Sequence, residues 1–228
     1  MGFMAKLRVW YFWVQRRIAI GNKPMLNNSP LLNFIGRSLL SGFLIGLGCL
    51  VYVVCENRYV GAFLFALGLL TILIKGYYLY TGRVGDWVPR QTLILLAMFC
   101  LNGLGAALSA YLFTFTRLDL SAVDTIVATK LQDSLWSIFI LAIGCGAMMH
   151  LAVFNFKQAK HPLYVIMPIM FFIICGFEHC VANSGYFAMA KVPLTLDLLV
   201  RLAVMVLGNA VGSLIFTKFI HVPLTTSK

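Results

Sequence analysis

Residues 176–185 read "GFEHCVANSG", and this stretch decides the fold. It lies between "PLYVIMPIMFFIIC" (Pro162–Cys175) and "YFAMAKVPLTLDLLVRLAVMVLGNAVGSLIF" (Tyr186–Phe216), both strongly apolar. A Glu, a His and an Asn bracketed by glycines are out of place in such a setting unless the helix carrying them is interrupted.

The rest of the chain supports that reading. Of its 228 residues 61% are hydrophobic and 11% charged, and the mean hydropathy is +0.91. Soluble domains carry roughly 25% charged residues. Several apolar runs exceed the roughly 18 residues that cross hydrocarbon, so the chain reads as an all-α integral membrane protein. The net charge of +11 comes from cations dispersed at the ends of apolar runs. A nucleic-acid binder clusters them on one soluble face, so no nucleic-acid partner is expected. The six cysteines fall almost entirely inside apolar runs without a CxxC pair and read as small buried hydrophobes.

The hydropathy pattern predicts six spans, at about 31–54, 60–76, 91–113, 134–156, 162–190 and 196–220. Together they make a transporter domain over 30–221. Residues 1–29, with Arg16 and Arg17 following a run of aromatics, read as an amphipathic helix on cytoplasmic headgroups, and 222–228 as a short tail. Lys75, Arg83, Arg90, Lys157, Lys160 and Lys218 fall on the same side as the basic N-terminus, whereas most acids fall on the other. The expectation is a multi-pass protein of a prokaryotic plasma membrane with both termini cytoplasmic.

Spans two and five are broken in the same way. "FALGLLTILI" runs into "KGYYLYTGRVGDW", and Lys75-Gly76-Tyr77 lines up with Cys175-Gly176-Phe177. The following spans also echo each other, "LNGLGAAL" (Leu101–Leu108) against "GNAVGSLI" (Gly208–Ile215). Two halves of three crossings each are related by inversion, an aquaporin-like plan for permeation proteins with the site near the bilayer midplane. Irregular backbone cannot face lipid, so both breaks must face protein or a watered cavity. A charge at that depth costs on the order of 3 kcal/mol, which makes Glu178 and His179 functional candidates.

At these residues the chain resembles the formate/nitrite transporter family, pentameric channels for small monovalent anions. "GFEHCVAN" (Gly176–Asn183) is similar to the family signature, and "FALGL" (Phe65–Leu69) with "LYTG" (Leu79–Gly82) is similar to its second span and following loop. Asn102 and Gly208-Asn209 match its glycine-asparagine pairs, and the likeness extends over roughly residues 30–220. It implies a pore in which Phe65 and Leu69 form an apolar ring on one side of the midplane and Phe172 a ring on the other. Leu79 and Tyr80 would narrow the path, Thr81 would offer a hydroxyl to the permeant, and His179 would stand between the rings. Glu178 and Asn183 would hold the broken helix by bonding freed backbone groups. Lys130 would draw anions into one vestibule. A homopentamer in the lipid bilayer is implied, taking a small anion and a proton and needing no cofactor. The chain differs from the pattern at Tyr78, where an acid is usual, at Gly146, where an Asn is usual, and in the short segment from Thr81 to Trp87. Apart from the resemblance, Lys75 and Arg83 either concentrate anions at the cytoplasmic mouth, where fixed charges between low-dielectric walls focus potential, or snorkel to headgroups as ordinary positive-inside residues.

The expected mechanism is proton-linked. Apolar rings penalise the charged anion, low dielectric favours its neutral acid form, and a histidine titrating near neutrality can supply or relay the proton. A scaffold or sensor that keeps the fold without transporting, and a pore for neutral solutes, are the alternatives. No nucleophile–base pair or nucleotide loop is visible, so an enzyme is not expected. His150, Glu178 and His179 lack the ligand spacing of a zinc site.

Overall fold

The computed structural model describes residues 29–220. The expected amphipathic N-terminal helix and the tail lie outside the described residues, apart from Ser29. Helix α1 runs Pro30–Val54, with proline at its first turn, where a missing N–H is harmless. A three-residue turn leads to α2, Arg58–Lys75, whose N-cap Asn57 accepts hydrogen bonds from the Tyr59 and Val60 amides at 2.9 and 3.2 Å. This cap starts the helix two residues earlier than hydropathy alone predicts. Helix α3 covers Thr92–Leu112, extended at both ends by single 3₁₀ turns.

Next come α4 (Ala122–Gln132), α5 (Leu135–Ala159), α6 (Leu163–Ile174), α7 (Cys180–Met189) and α8 (Leu196–Ile220). Among the described residues five segments, α1, α2, α3 with its 3₁₀ ends, α5 and α8, are long and apolar enough to cross a membrane. The remaining crossing is split into α6 and α7, as the break at Gly176 predicts. The chain is therefore a multi-pass helical membrane bundle.

Helix α4 is not foreseen in the hydropathy pattern. It buries only Val123 and Val127, one turn apart, and carries Asp124 in its first turn and Lys130 in its last. That charge order complements the helix dipole.

Two helix pairs are packed with their backbones in contact, α1 with α3 and α5 with α8. A Cβ at Gly42 would strike the Asn102 carbonyl, and one at Gly105 the Leu39 carbonyl; across the other pair, Gly146 and Gly212 face the Asn209 and Ile143 carbonyls in the same way. Lipid supplies no hydrophobic drive between helices, so such close approach is how they gain contact energy. It also places Asn102 and Asn209 at full burial in the centre of the bundle.

Candidate pore site

Both breaks are built alike. Gly76 has φ +64° and Gly176 φ +69°, left-handed conformations that suit glycine. The next amide reaches back in each case: Tyr77 N–H to Ile72 O and Phe177 N–H to Phe172 O, both 2.9 Å. This wrap closes a helix C-terminus and turns the chain inward. The backbone groups beyond it have no helical partners, and two buried asparagines take them up. Asn102 Nδ2 donates to Tyr78 O (2.8 Å) and Ser38 O (2.7 Å), while its Oδ1 accepts from Tyr80 N–H (2.8 Å). Asn209 Nδ2 donates to Glu178 O (2.8 Å) and Ala142 O (2.9 Å), and its Oδ1 accepts from Cys180 N–H (3.0 Å).

That arrangement corrects the roles expected of Glu178 and Asn183. Their side chains do not take the freed backbone groups, because Asn102 and Asn209 already do. The Glu178 carboxylate accepts from Lys130 Nζ at 2.8 Å and from Asn183 Nδ2. Lys130 arrives on the last turn of α4, and Arg201 of α8 holds that end by donating to Asp133 O at 2.7 Å and Lys130 O at 3.3 Å.

His179 is the N-cap of α7. Its Nδ1 accepts the Ala182 amide proton at 3.0 Å, and its Nε2 lies 2.9 Å from Thr81 Oγ1. A neutral ring with its proton on Nε2 satisfies both contacts, since Nδ1 must offer a lone pair to the amide. The imidazole stacks on Phe172, with ring centroids 5.8 Å apart and an interplanar angle of 15°.

Phe172 meets Phe65 edge-on at 6.2 Å. These two phenylalanines therefore form one apolar pair, and the expected placement of Phe65 and Phe172 on opposite sides of His179 is incorrect. The reason is register: Phe65 is two turns into α2, and Phe172 is on the last turn of α6, whose end is held near the start of α2 by Arg58 Nη2 donating to Ile174 O at 2.7 Å. A cavity of about 260 Å³ reaches this pair, lined among others by Arg58, Lys130, Glu178, Phe65, Phe172 and His179. Leu69, Leu79 and Thr81 are buried and do not line it. Tyr80 is buried as well, its ring against Phe99 and its hydroxyl on Val206 O at 3.1 Å. Lys75 is exposed, at the opposite end of α2 from Arg58.

His150 stands apart from this group, stacked on Phe154 with Nδ1 3.1 Å from Thr217 Oγ1. Among the described residues no set of three His, Cys, Asp or Glu side chains is placed to hold a metal.

Sequence reasoning missed the linking role of Arg58 and Arg201, and did not weigh Arg37 within the first span. The available signal was the same in each case, a cation in or beside an apolar span.

Comparison with known proteins agrees with this architecture. The family model described as "Formate/nitrite transporter" matches residues 17–223. The chain is 28% identical to the formate channel FocA of Haemophilus influenzae, with 69% of this chain and 66% of the relative covered. It is 26% identical to the formate channel BtFdhC of Bacillus thuringiensis, with 84% of each chain covered. Among solved structures, an "FNT family ion channel" superposes with a TM-score of 0.75 at 22% identity, covering 95% of this chain and 97% of that one. A "Pentameric formate channel with formate bound" gives 0.71 at 21%, covering 82% and 94%. With the broken helix in place and the family model matching nearly the whole chain, this protein belongs to the formate/nitrite transporter family.

Proposed function

We propose that the chain is a membrane channel for small monovalent anions of weak acids, formate or nitrite among them, and that five copies assemble with one pore in each. The observation that carries this reading is the cavity that ends on a neutral imidazole beside two phenylalanines, with the Thr81 hydroxyl 2.9 Å from that imidazole. Relatives bearing the name formate channel, and a pentameric solved structure with formate bound, support the substrate class and the assembly.

In this reading the two halves, α1–α3 and α5–α8, form an inverted repeat. The matching geometry at Gly76 and Gly176, and at Asn102 and Asn209, supports it. Both termini lie in the cytoplasm, as the distribution of cations suggests.

An anion enters the cavity past Arg58 and Lys130. At the Phe65–Phe172 pair it loses water. A bare carboxylate-sized ion in a medium of dielectric near 4 faces a Born cost on the order of 20 kcal/mol, whereas its neutral acid faces little. The permeant therefore takes up a proton as the surroundings become apolar. Nε2–H of His179 and the hydroxyl of Thr81 then replace the lost water as hydrogen-bond partners. Leu69, Leu79 and Tyr80 form the second constriction before the opposite mouth.

His179 acts here chiefly as a donor. A second proton on Nδ1 would set two donors, Nδ1–H and the Ala182 amide, against each other and undo the cap of α7. Charging His179 at low pH thus alters the pore itself.

The test is a flux panel in proteoliposomes at two pH values, with formate, nitrite, hydrosulfide, lactate and chloride, and glycerol as a neutral control. Proton-linked uptake of the weak-acid anions, with pH dependence changed in His179→Phe, is expected. Glycerol permeation without anion flux would replace this reading with a neutral-solute pore, and no flux of any solute would leave a scaffold.

A further inference from the structure

We infer that Arg37 and Arg83 form a binding site for a planar oxyanion at the mouth opposite Lys130, resting on the permeation reading above. Arg37 is on the second turn of α1, and Arg83 follows the loop that carries Thr81. Their guanidinium carbons lie 5.7 and 4.7 Å from the centroid of one ring, that of the buried Tyr78. Tyr78 is itself fixed, its carbonyl accepting from Asn102. Two cations have thus been brought to one aromatic ring beside the loop that carries Thr81.

Asp86 attracts Arg83 electrostatically, but among the described residues no acidic side chain is within ion-pair distance of either arginine. The sequence contains seven acidic side chains, and all seven lie among the described residues. Glu178 is paired with Lys130. Asp197 is paired with Arg201, and it lies with Glu56, Asp119, Asp124 and Asp133 at the Lys130 end of the bundle. At the Arg37 end the acidic side chain is Asp86, whose nearest ion-pair partner is Lys157 at 3.8 Å. Among the described residues neither Arg37 nor Arg83 enters an ion pair. The Nε of Arg37 is buried and has no hydrogen-bond partner among the described residues. A cation removed from water without a partner is costly, and a bound anion removes the cost.

The side-chain type narrows the ligand. A guanidinium presents parallel N–H groups that match two oxygens of one planar anion, whereas an ammonium is a point charge. Formate, nitrite and acetate have that pair of oxygens. Chloride and hydrosulfide do not, and gain only from charge. The site therefore selects oxyanions at this mouth before they reach Thr81. Tyr78 adds a neutral ring, not a competing carboxylate, beside the two guanidiniums.

The experiment uses the full chain in nanodiscs for calorimetric titration with sodium formate, sodium nitrite and sodium chloride, and in proteoliposomes for flux. The wild type should bind formate and nitrite, with chloride weaker by about tenfold or more. Arg37→Gln and Arg83→Gln should each weaken formate binding by about tenfold. The double variant Arg37→Lys/Arg83→Lys, which keeps both charges and guards against misfolding, should retain chloride binding and lose the formate preference. Formate binding unchanged in the Gln variants, a Lys variant indistinguishable from wild type, or no oxyanion binding by the wild type would each overturn the site. If formate binds in an arginine-dependent way but no anion crosses the membrane, the site stands and the permeation reading falls. If anions cross and binding ignores both arginines, the permeation reading stands and the site falls.

Discussion

Lys130 Nζ lies 2.8 Å from the Glu178 carboxylate, and the two side chains are only 11% and 4% exposed. The charge expected to draw anions into this vestibule is therefore already opposed at contact distance. Removing one partner leaves the other buried alone. Glu178→Gln is expected to lower stability by about 3–5 kcal/mol, read by chemical unfolding in detergent. Lys130→Met/Glu178→Gln should recover much of that loss, because no charge is then left unpaired. A double variant as unstable as the single would show that the carboxylate matters through Asn183 alone.

Each asparagine at the breaks makes three hydrogen bonds to buried backbone. Asn102→Ala and Asn209→Ala leave two carbonyls and an amide unsatisfied in an apolar setting. A loss of about 3 kcal/mol or more is expected for each. The sites share no partner, so the double variant should add to within about 0.5 kcal/mol. Unfolding of all three variants measures both quantities.

Gly76 and Gly176 isolate a purely conformational cost. A Cβ at either position would meet nothing within 4 Å, yet both residues have positive φ. Alanine at either position should cost about 1–2 kcal/mol. Asparagine, which tolerates this region, should cost less. Equal losses for alanine and asparagine would contradict a backbone origin.

The Phe65–Phe172 contact sets the width of the proposed pore. Phe172→Ala removes both that contact and the ring on which His179 stacks. Acetate flux relative to formate is expected to rise by about tenfold, the scale on which apolar pockets discriminate small groups. An unchanged ratio in proteoliposome uptake would place the selecting step elsewhere, at Leu69, Leu79 and Tyr80.

Thr81→Val removes the hydroxyl that meets His179 Nε2 at 2.9 Å while keeping the shape. Stability should fall by about 1–3 kcal/mol, since a buried N–H is left without an acceptor. Formate flux should fall with it. Flux unaffected by this change would remove Thr81 from the permeation path.

The sequence by itself determined the membrane setting, the long crossings to within a few residues, and the positions of both breaks. These properties are local: a run of apolar residues states its own length, and a glycine followed by polar residues inside it states its own interruption. The signature around His179 was legible for the same reason. What only the tertiary structure decided is which distant residues meet. Phe65 and Phe172 are joined by the register of α2 on α6, and that register depends on packing. Lys130 reaches Glu178 through α4, a helix too short and polar for hydropathy to reveal. Asn102 and Asn209 hold the breaks because glycines elsewhere let helix backbones touch. Arg37 and Arg83 share one tyrosine across 46 residues of sequence. Helix periodicity and hydropathy describe each segment against lipid, and pairing between segments arises only when their side chains compete for the same buried space.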